Sequence, residues 1–128
     1  MRNEEKLSAF ELAVLRRMME DTTTPPKLPG ATVGGVEVEE RSLTGSGFLT
    51  ELRSTPETIW FPSDVSLRWG ARVVATVNGS EDVGVLVFVD GGRVTAVEGY
   101  TFGGVEWPAT IDHFRFRLVD DEVDAAKQ

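Results

Sequence analysis

Residues 83–108 carry the sequence VGVLVFVDGGRVTAVEGYTFGGVEWP, which decides the fold. Residues 83–89 are apolar on both faces of an extended chain, a pattern that predicts a strand in the middle of a sheet. Asp90-Gly91-Gly92 supplies a turn in which φ can be positive, so that residues 93–102 can return beside the first strand. We therefore expect a long antiparallel hairpin at the centre of the protein.

Residues 7–20 predict one helix. Ser8 and Glu11 have the spacing of a capping box, in which each side chain accepts the other's free backbone N–H. Apolar residues recur near helical spacing over a wide arc, and Arg16 and Arg17 stand near the C-terminal end, where cations suit the helix dipole. One broad apolar face indicates a helix that lies across a sheet.

The segment between helix and hairpin reads as a connector followed by extended chain. Residues 21–35 are rich in proline and glycine and predict an ordered loop. Residues 36–53 alternate apolar and polar side chains, with an interruption at Gly45-Ser46-Gly47 that is either a hairpin turn or a bulge. Residues 72–77 predict a further strand that ends in Asn78-Gly79, a strong hairpin signal.

The last strand is predicted at residues 113–118, with Phe114 and Phe116 turned inward. The chain is thus expected to form one α+β domain over residues 1–128, with an N-terminal helix packed on a mostly antiparallel sheet of five or six strands. Residues 1–6 and 120–128 are expected to be flexible ends. The expected core members are large apolar side chains on the helix and strands: Phe10, Val14, Val85, Leu86, Val87, Phe88, Phe114 and Phe116.

Composition limits the classes of partner and chemistry. The chain has 128 residues, a formal net charge of −8 and no cysteine. An acidic balance opposes binding to nucleic acid and to anionic membranes and favours a basic protein partner. Without cysteine there are no disulfides, thiolate nucleophiles or cysteine-ligated metals. No apolar run approaches the roughly 20 residues that cross a bilayer, and the N-terminus does not resemble a signal peptide, so we expect a cytoplasmic protein.

The sequence contains no recognisable catalytic set. His113 is the single histidine, no GxSxG motif occurs, and the acidic residues do not have the spacing of an EF-hand. Gly91-Gly92 and Gly103-Gly104 are not followed by a helix, so they do not form a phosphate-binding loop. These observations favour a protein that is not an enzyme, with no cofactor and no metal.

Four residues are the candidates for a ligand site: Glu98, Tyr100, Trp107 and Trp60. Glu98 and Tyr100 share one face of the second long strand, where a carboxylate needs a partner or water. One alternative places them in a pocket between helix and sheet, lined also by a tryptophan. The other pairs Glu98 with Arg115 or Arg117 across the sheet. The loop tryptophans fit either the end of the core or an interface.

Three segments, LSAFELAVLRRMM, LTGSGFLTEL and residues 83–108, together resemble a family of small bacterial proteins without an assigned activity. Its members carry a hydrophobic strand, an Asp-Gly-Arg turn, a strand that ends in an element like Glu-Gly-Tyr, and then Trp-Pro. The matching residues here are Asp90, Gly91, Arg93, Glu98, Gly99, Tyr100, Trp107 and Pro108, and Gly92 is an addition within the turn. The resemblance implies a single compact domain and no mechanism.

Three functional hypotheses follow from the sequence. The first is a non-enzymatic binding module with an acidic surface, of which an immunity protein that blocks a basic toxin is one version. The second is a small-molecule or enzymatic pocket around Glu98 and Tyr100. The third is a homodimer that pairs an edge strand, residues 113–118 or 36–44, with its mate.

Overall fold

The computed structural model describes residues 6–118. They form one α-helix, a short 3-10 helix (Pro56–Thr58) and seven strands, and every strand pairing is antiparallel. The elements are α1 (Ala9–Glu20), β1 (Val38–Leu43), β2 (Gly47–Leu52), β3 (Leu67–Trp69), β4 (Val73–Val77), β5 (Glu81–Asp90), β6 (Arg93–Thr101) and β7 (Phe114–Leu118). The predicted α+β class, with a helix on an antiparallel sheet, is confirmed. Apart from Lys6, the predicted flexible ends lie outside the described residues.

The strand order is β1-β2-β6-β5-β4-β7, with β3 also paired to β5. The β5–β6 hairpin therefore holds the centre of the sheet, as its apolar pattern predicted. The sheet exceeds the expected five or six strands in part because β3 has three residues, LRW, too few to show an alternating pattern.

The turn of the central hairpin needs both of its glycines. Asp90 pairs with Arg93, and Gly91 and Gly92 between them have φ values of 62° and 81°. Two consecutive positive φ angles match the right-handed twist of the flanking strands. The carbonyl of Gly92 also accepts the N–H groups of Trp60 and Phe61, each at 3.0 Å, and a Cβ on Gly92 would overlap the carbonyls of residues 61 and 62. The backbone carbonyl of Gly92 thus holds the loop that precedes β3 against the turn of the hairpin.

Gly45-Ser46-Gly47 is a turn and not a bulge. Leu43 on β1 pairs with Phe48 on β2 in an antiparallel register, so the chain reverses between them. The pair also contains a bulge, which lies further back in β1 between Val38 and Glu40. The predicted turn at Asn78-Gly79 is confirmed, since it joins β4 to β5.

The sheet curls around the helix. On α1, the ring of Phe10 lies 6.4 Å from that of Phe48 on β2 and 5.3 Å from that of Phe114 on β7. These strands are four positions apart in the sheet, which corresponds to about 19 Å if the sheet were flat. A single aromatic side chain on the helix therefore contacts both wings of a curved sheet, and the two phenylalanines of β7 remain half-buried.

The two faces of the sheet differ. Val83, Val85, Val87 and Val89 of β5 are buried on the inner face, which is the face covered by α1. Leu86 and Phe88 point to the opposite, outer face and are half-buried. The prediction that Leu86 and Phe88 belong to the core was wrong. Phe114 and Phe116 turn inward and pack against the core as predicted, but they are half-buried. An apolar pattern on both faces of a strand predicts that both faces are covered. In this structure only the inner face of β5 is covered by α1, so Leu86 and Phe88 on the outer face stay half-buried.

The same substitution made on each side of the sheet tests this division. Leu15→Ala removes a fully buried side chain of α1 and is expected to lower the free energy of unfolding by about 2–5 kcal/mol. Leu86→Ala on the outer face is expected to cost about 1 kcal/mol, because that side chain already lies partly in water. Chemical denaturation of both variants at low protein concentration checks the difference, and equal losses would contradict an open outer face.

Candidate functional site

A cleft opens on the inner side of the sheet, at the N-terminal end of α1. It lies between that end of the helix, the turn that joins β1 to β2, and the loop after β6, and it encloses about 540 Å³. Its floor consists of three aromatic rings in mutual edge contact. Trp107 lies 6.1 Å from Phe10 and 5.1 Å from Phe48 between ring centroids.

Backbone hydrogen bonds hold the loop after β6 against the β1–β2 turn. The N–H of Trp107 donates to the carbonyl of Gly45 over 2.8 Å, and the N–H of Thr101 donates to the carbonyl of Ser46 over 2.9 Å. Gly99 gives room for this arrangement, because a Cβ there would overlap the rings of Phe48 and Trp107. The floor of the cleft therefore depends on a glycine in the middle of a sheet, a position where glycine otherwise weakens a strand.

A buried ion pair forms one wall of the cleft. The side chain of Glu11 is 2% exposed, and its Oε2 accepts the Nε–H of Arg41 over 2.9 Å and the hydroxyl of Thr50. Its Oε1 accepts the Nη2–H of Arg41 and, over 2.8 Å, the backbone N–H of Ser8. The same Nη2 donates to the carbonyl of Lys6 over 3.0 Å. Four donors converge on the carboxylate of Glu11, which is therefore satisfied within the protein, while the side chain of Arg41 is 21% exposed and lines the cleft.

The pKa of Glu11 reflects two opposed effects. Burial raises the pKa, because it disfavours the charged form. The hydrogen bonds from Arg41, Thr50 and Ser8, together with the charge of Arg41, outweigh burial and hold the pKa below its ordinary value. The carboxylate therefore stays ionised at neutral pH, and its two oxygens accept hydrogen bonds from Arg41, Thr50 and Ser8.

Sequence reasoning missed this pair. It assigned Glu11 its capping role, which is confirmed by the reciprocal bonds with Ser8. It could not assign Arg41, because strict alternation from Val36 and Val38 places residue 41 on the wet face with the glutamates. The bulge between Val38 and Glu40 shifts the phase by one residue and turns Arg41 inward, opposite Thr50. No residue type in the segment signals that bulge.

The predicted site residues fall in three different places. Glu98 and Tyr100 lie on the outer face of the sheet, away from α1, and the ring of Tyr100 packs 5.7 Å from that of Phe102. Partial burial and the nearby Glu98 raise the pKa of Tyr100. Trp107 lies in the cleft, whereas Trp60 is fully buried and its indole N–H donates to the carbonyl of Glu57. Only Glu98 and Tyr100 are brought together, and the pocket expected for them between helix and sheet is not where they lie.

The expected ion pair of Glu98 with Arg115 or Arg117 was wrong. Glu98 is on β6 and the arginines are on β7, and β5 and β4 lie between these strands. Arg117 instead contacts Asp82 of β5, with 3.2 Å between nitrogen and oxygen. Glu98 stands between Leu49 and Leu86, its partners on the two neighbouring strands.

A second cleft, of about 620 Å³, lies at the other end of α1. Its acid Asp21 accepts the indole N–H of Trp69 over 2.7 Å and the hydroxyl and backbone N–H of Thr23. Hydrogen bonds from Thr23 and Trp69 lower the pKa of Asp21. This carboxylate is committed to fastening the end of the helix to β3.

Within residues 6–118, no group of three or more His, Asp or Glu side chains is placed to hold a metal ion. No helix in that range has the length and apolar character needed to cross a bilayer.

Comparisons of the chain with protein-family models, curated proteins and solved structures find no match. No residue of the cleft or of the outer face therefore takes a role from a relative. The function has to be argued from the geometry.

A double replacement tests whether the buried pair acts as a unit. Arg41→Met leaves the Glu11 carboxylate buried without its cation, which is expected to lower the free energy of unfolding by roughly 3–5 kcal/mol. Adding Glu11→Leu is expected to restore most of that loss, because an apolar pair of similar volume avoids both desolvation costs. Denaturant titrations of the wild type, both single variants and the double variant give the coupling, and simple additivity of the two losses would refute it.

The lowered pKa of Glu11 predicts an acid-dependent stability. A carboxyl whose pKa is lower in the folded state contributes stability that is fully present above its unfolded value, 4.5, and is lost as pH falls through the folded value. We expect the free energy of unfolding to decline below pH 4.5 more steeply for the wild type than for the Glu11→Leu/Arg41→Met variant. Denaturation at stepwise lower pH measures both slopes, and parallel curves would show that Glu11 contributes no linkage.

Proposed function

We propose that this protein is a non-enzymatic binding module that receives an apolar or aromatic group of a basic partner in the cleft at the N-terminal end of α1. The observation that carries the proposal is the floor of three aromatic rings beside an ion pair whose hydrogen bonds are satisfied internally. Such a cleft offers contact surface while its buried charges are already committed.

Apolar side chains at the lip support a role in contact. Leu43 is 77% exposed and lines the cleft together with the half-buried Ile111. Aromatic pockets surrounded by apolar and polar neighbours are typical of the places where a partner's anchor residue binds. An apolar or aromatic side chain of the partner would pack on the three rings, and Leu43 would cover that side chain.

The charge of the protein supports a basic partner. The formal net charge is −8, and Glu106 lines the cleft with an exposed side chain. Opposite charge on a partner would speed encounter and fix its orientation, while the apolar anchor would supply affinity. An immunity-type protein that blocks a basic toxin is one version of this function, and a cysteine-free chain is suited to the cytoplasm.

A small-molecule site is the second candidate. A volume of about 540 Å³ lies inside the usual range of ligand pockets, about 300–1,000 Å³. This observation moves the small-molecule hypothesis from Glu98 and Tyr100 to the cleft floored by Trp107. Apolar chemistry would again dominate recognition.

Selection of peptides from a random displayed library tests the proposal. We expect binders that combine a large apolar or aromatic residue with lysine or arginine, and at least tenfold weaker binding of these peptides to Leu43→Ser. Leu43 is exposed enough for this change to leave the fold intact, and Ile59→Ser, exposed 40% outside the cleft lining, is the matched control. Trp107→Ala is expected to abolish binding. Peptides that bind Leu43→Ser and Ile59→Ser equally well would reject the protein-partner proposal. It would also be rejected if the peptide library gave no binders while a parallel screen of small molecules gave aromatic ligands.

A further inference from the structure

The outer face of the sheet has a charge polarity across its strands. Cα partners lie side by side on one face of a sheet, so the pairing register places each side chain in a row. On the β1, β2 and β6 half, the ionisable side chains turned outward from α1 are acidic except for Tyr100 and for Arg93, which pairs with Asp90 beside the hairpin turn. On the other half, β3 and β7 carry basic side chains, and β5 carries the acids Asp82 and Asp90 towards its two ends. Away from the ends of β5, the acids are Glu40, Glu51 and Glu98, and the bases are Arg68, Arg115 and Arg117.

One row shows the polarity directly. Consecutive partners across the sheet are Glu40, Glu51, Ala96, Phe88 and Arg68. Two carboxylates stand at one end of the row, an alanine and a phenylalanine in the middle, and an arginine at the other end. At the β5 edge of the basic half, Asp82 is held by Arg117.

The middle of this face is apolar and no described element covers it. Leu49, Leu86 and Phe88 are half-buried there, and Phe102 beside Tyr100 is 38% exposed. A contiguous apolar patch rimmed by charged residues is typical of an interaction site. Because the sheet curls around α1, the outer face is convex and a flat partner would contact chiefly the middle strands.

We propose that a second copy of this chain covers the outer face, about a two-fold axis that runs along the strands between β5 and β6. Rotation about this axis exchanges the acidic half of one protomer with the basic half of the other. Glu51 and Arg68 belong to the same row, one on each side of the axis, at about 1.5 strand spacings or roughly 7 Å. The rotation therefore sets Glu51 of each protomer against Arg68 of the other, twice in the dimer.

The polarity selects both the occupant and the axis. A two-fold interface is isologous, so a face that is acidic on one side and basic on the other complements its own copy. A two-fold axis across the strands would instead lay acid on acid and base on base. The two Glu51–Arg68 contacts lie close to the axis, where convex faces still touch, and the paired leucines and phenylalanines would be buried between them.

Glu98 is the one group that opposes this arrangement. It lies on β6 next to the axis, between Leu49 and Leu86, and in the dimer it would face the apolar strip near its own symmetry mate. Bringing two carboxylates together in a partly desolvated interface is costly. Removal of this charge should therefore strengthen the dimer, whereas removal of the charge of Glu51 should weaken it.

Sedimentation equilibrium of the purified chain and of charge-swapped variants tests the proposal. We expect a wild-type dimer, a dissociation constant at least tenfold higher for Glu51→Arg and for Arg68→Glu, and recovery to within about threefold when both changes are combined. Glu98→Gln should lower the constant several-fold. Arg16→Glu, an exposed change on α1, is the control and should have no effect beyond its net charge.

Each alternative outcome overturns the proposal. A wild type that stays monomeric up to millimolar concentration rejects the second copy as occupant. A dimer that neither single swap weakens points to pairing through the edge strands β1 or β7. A dimer that both single swaps weaken but the double swap does not restore rejects the two-fold axis along the strands. Circular dichroism of each variant separates these results from unfolding, and the cleft lies on the opposite side of the sheet, so peptide binding there is an independent readout.

Discussion

The contact between Glu11 and Arg41 joins the three parts of the structure that meet at the cleft. The carboxylate of Glu11 caps the start of α1 through its capping box with Ser8. It also binds β1 through Arg41 and β2 through Thr50. Edge strands pair on one side only and are the parts of a sheet that separate most readily. A carboxylate that binds all three elements keeps the β1–β2 wing closed against the helix, and this closure shapes the cleft.

A buried ion pair is a poor source of net stability, because desolvation of both charges offsets most of their attraction. Its value here lies in geometry. Arg41 donates to both oxygens of Glu11 in a planar arrangement, and an apolar pair would not define the angle between helix and strand in this way. The floor of the cleft depends on this angle, because Phe10 and Phe48 are buried and Trp107 is half-buried where helix and strands meet.

The one α-helix in residues 6–118 makes the two faces of the sheet unequal. It covers the inner face, where the valines of β5 are buried, and leaves the outer face with half-buried leucine and phenylalanine. A seven-stranded sheet with one helical layer has more apolar surface than that layer covers. The two proposed contact regions, the cleft and the outer face, both arise from this deficit. They differ in that the charges of the Glu11–Arg41 pair in the cleft contact each other, whereas Glu51 and Arg68 on the outer face lie on opposite sides of the central hairpin.

Local sequence determined much of this protein. The capping box located the start of α1, the double glycine after Asp90 and the Asn78-Gly79 pair located two hairpin turns, and the apolar run of residues 83–89 located the central strand. Each of these signals lies within a stretch of seven residues or fewer, so the local sequence contains its cause.

Only the tertiary structure decided the location of the two proposed contact surfaces. The inward turn of Arg41 depends on a bulge in β1 that no local residue demands, and its partner Glu11 is 30 residues away. The sequence also did not show which face of β6 the helix covers. Val97 and Glu98 point to opposite faces of the strand, and the helix that covers the face of Val97 comes from the N-terminal part of the chain. The separation of Glu98 from Arg115 and Arg117 followed from strand order. Long-range packing, in which many weak contacts compete, sets the strand order, the position of the bulge and the face that the helix covers. Alternation along a strand does not identify the covered face, because it is the same whichever side of the sheet is buried.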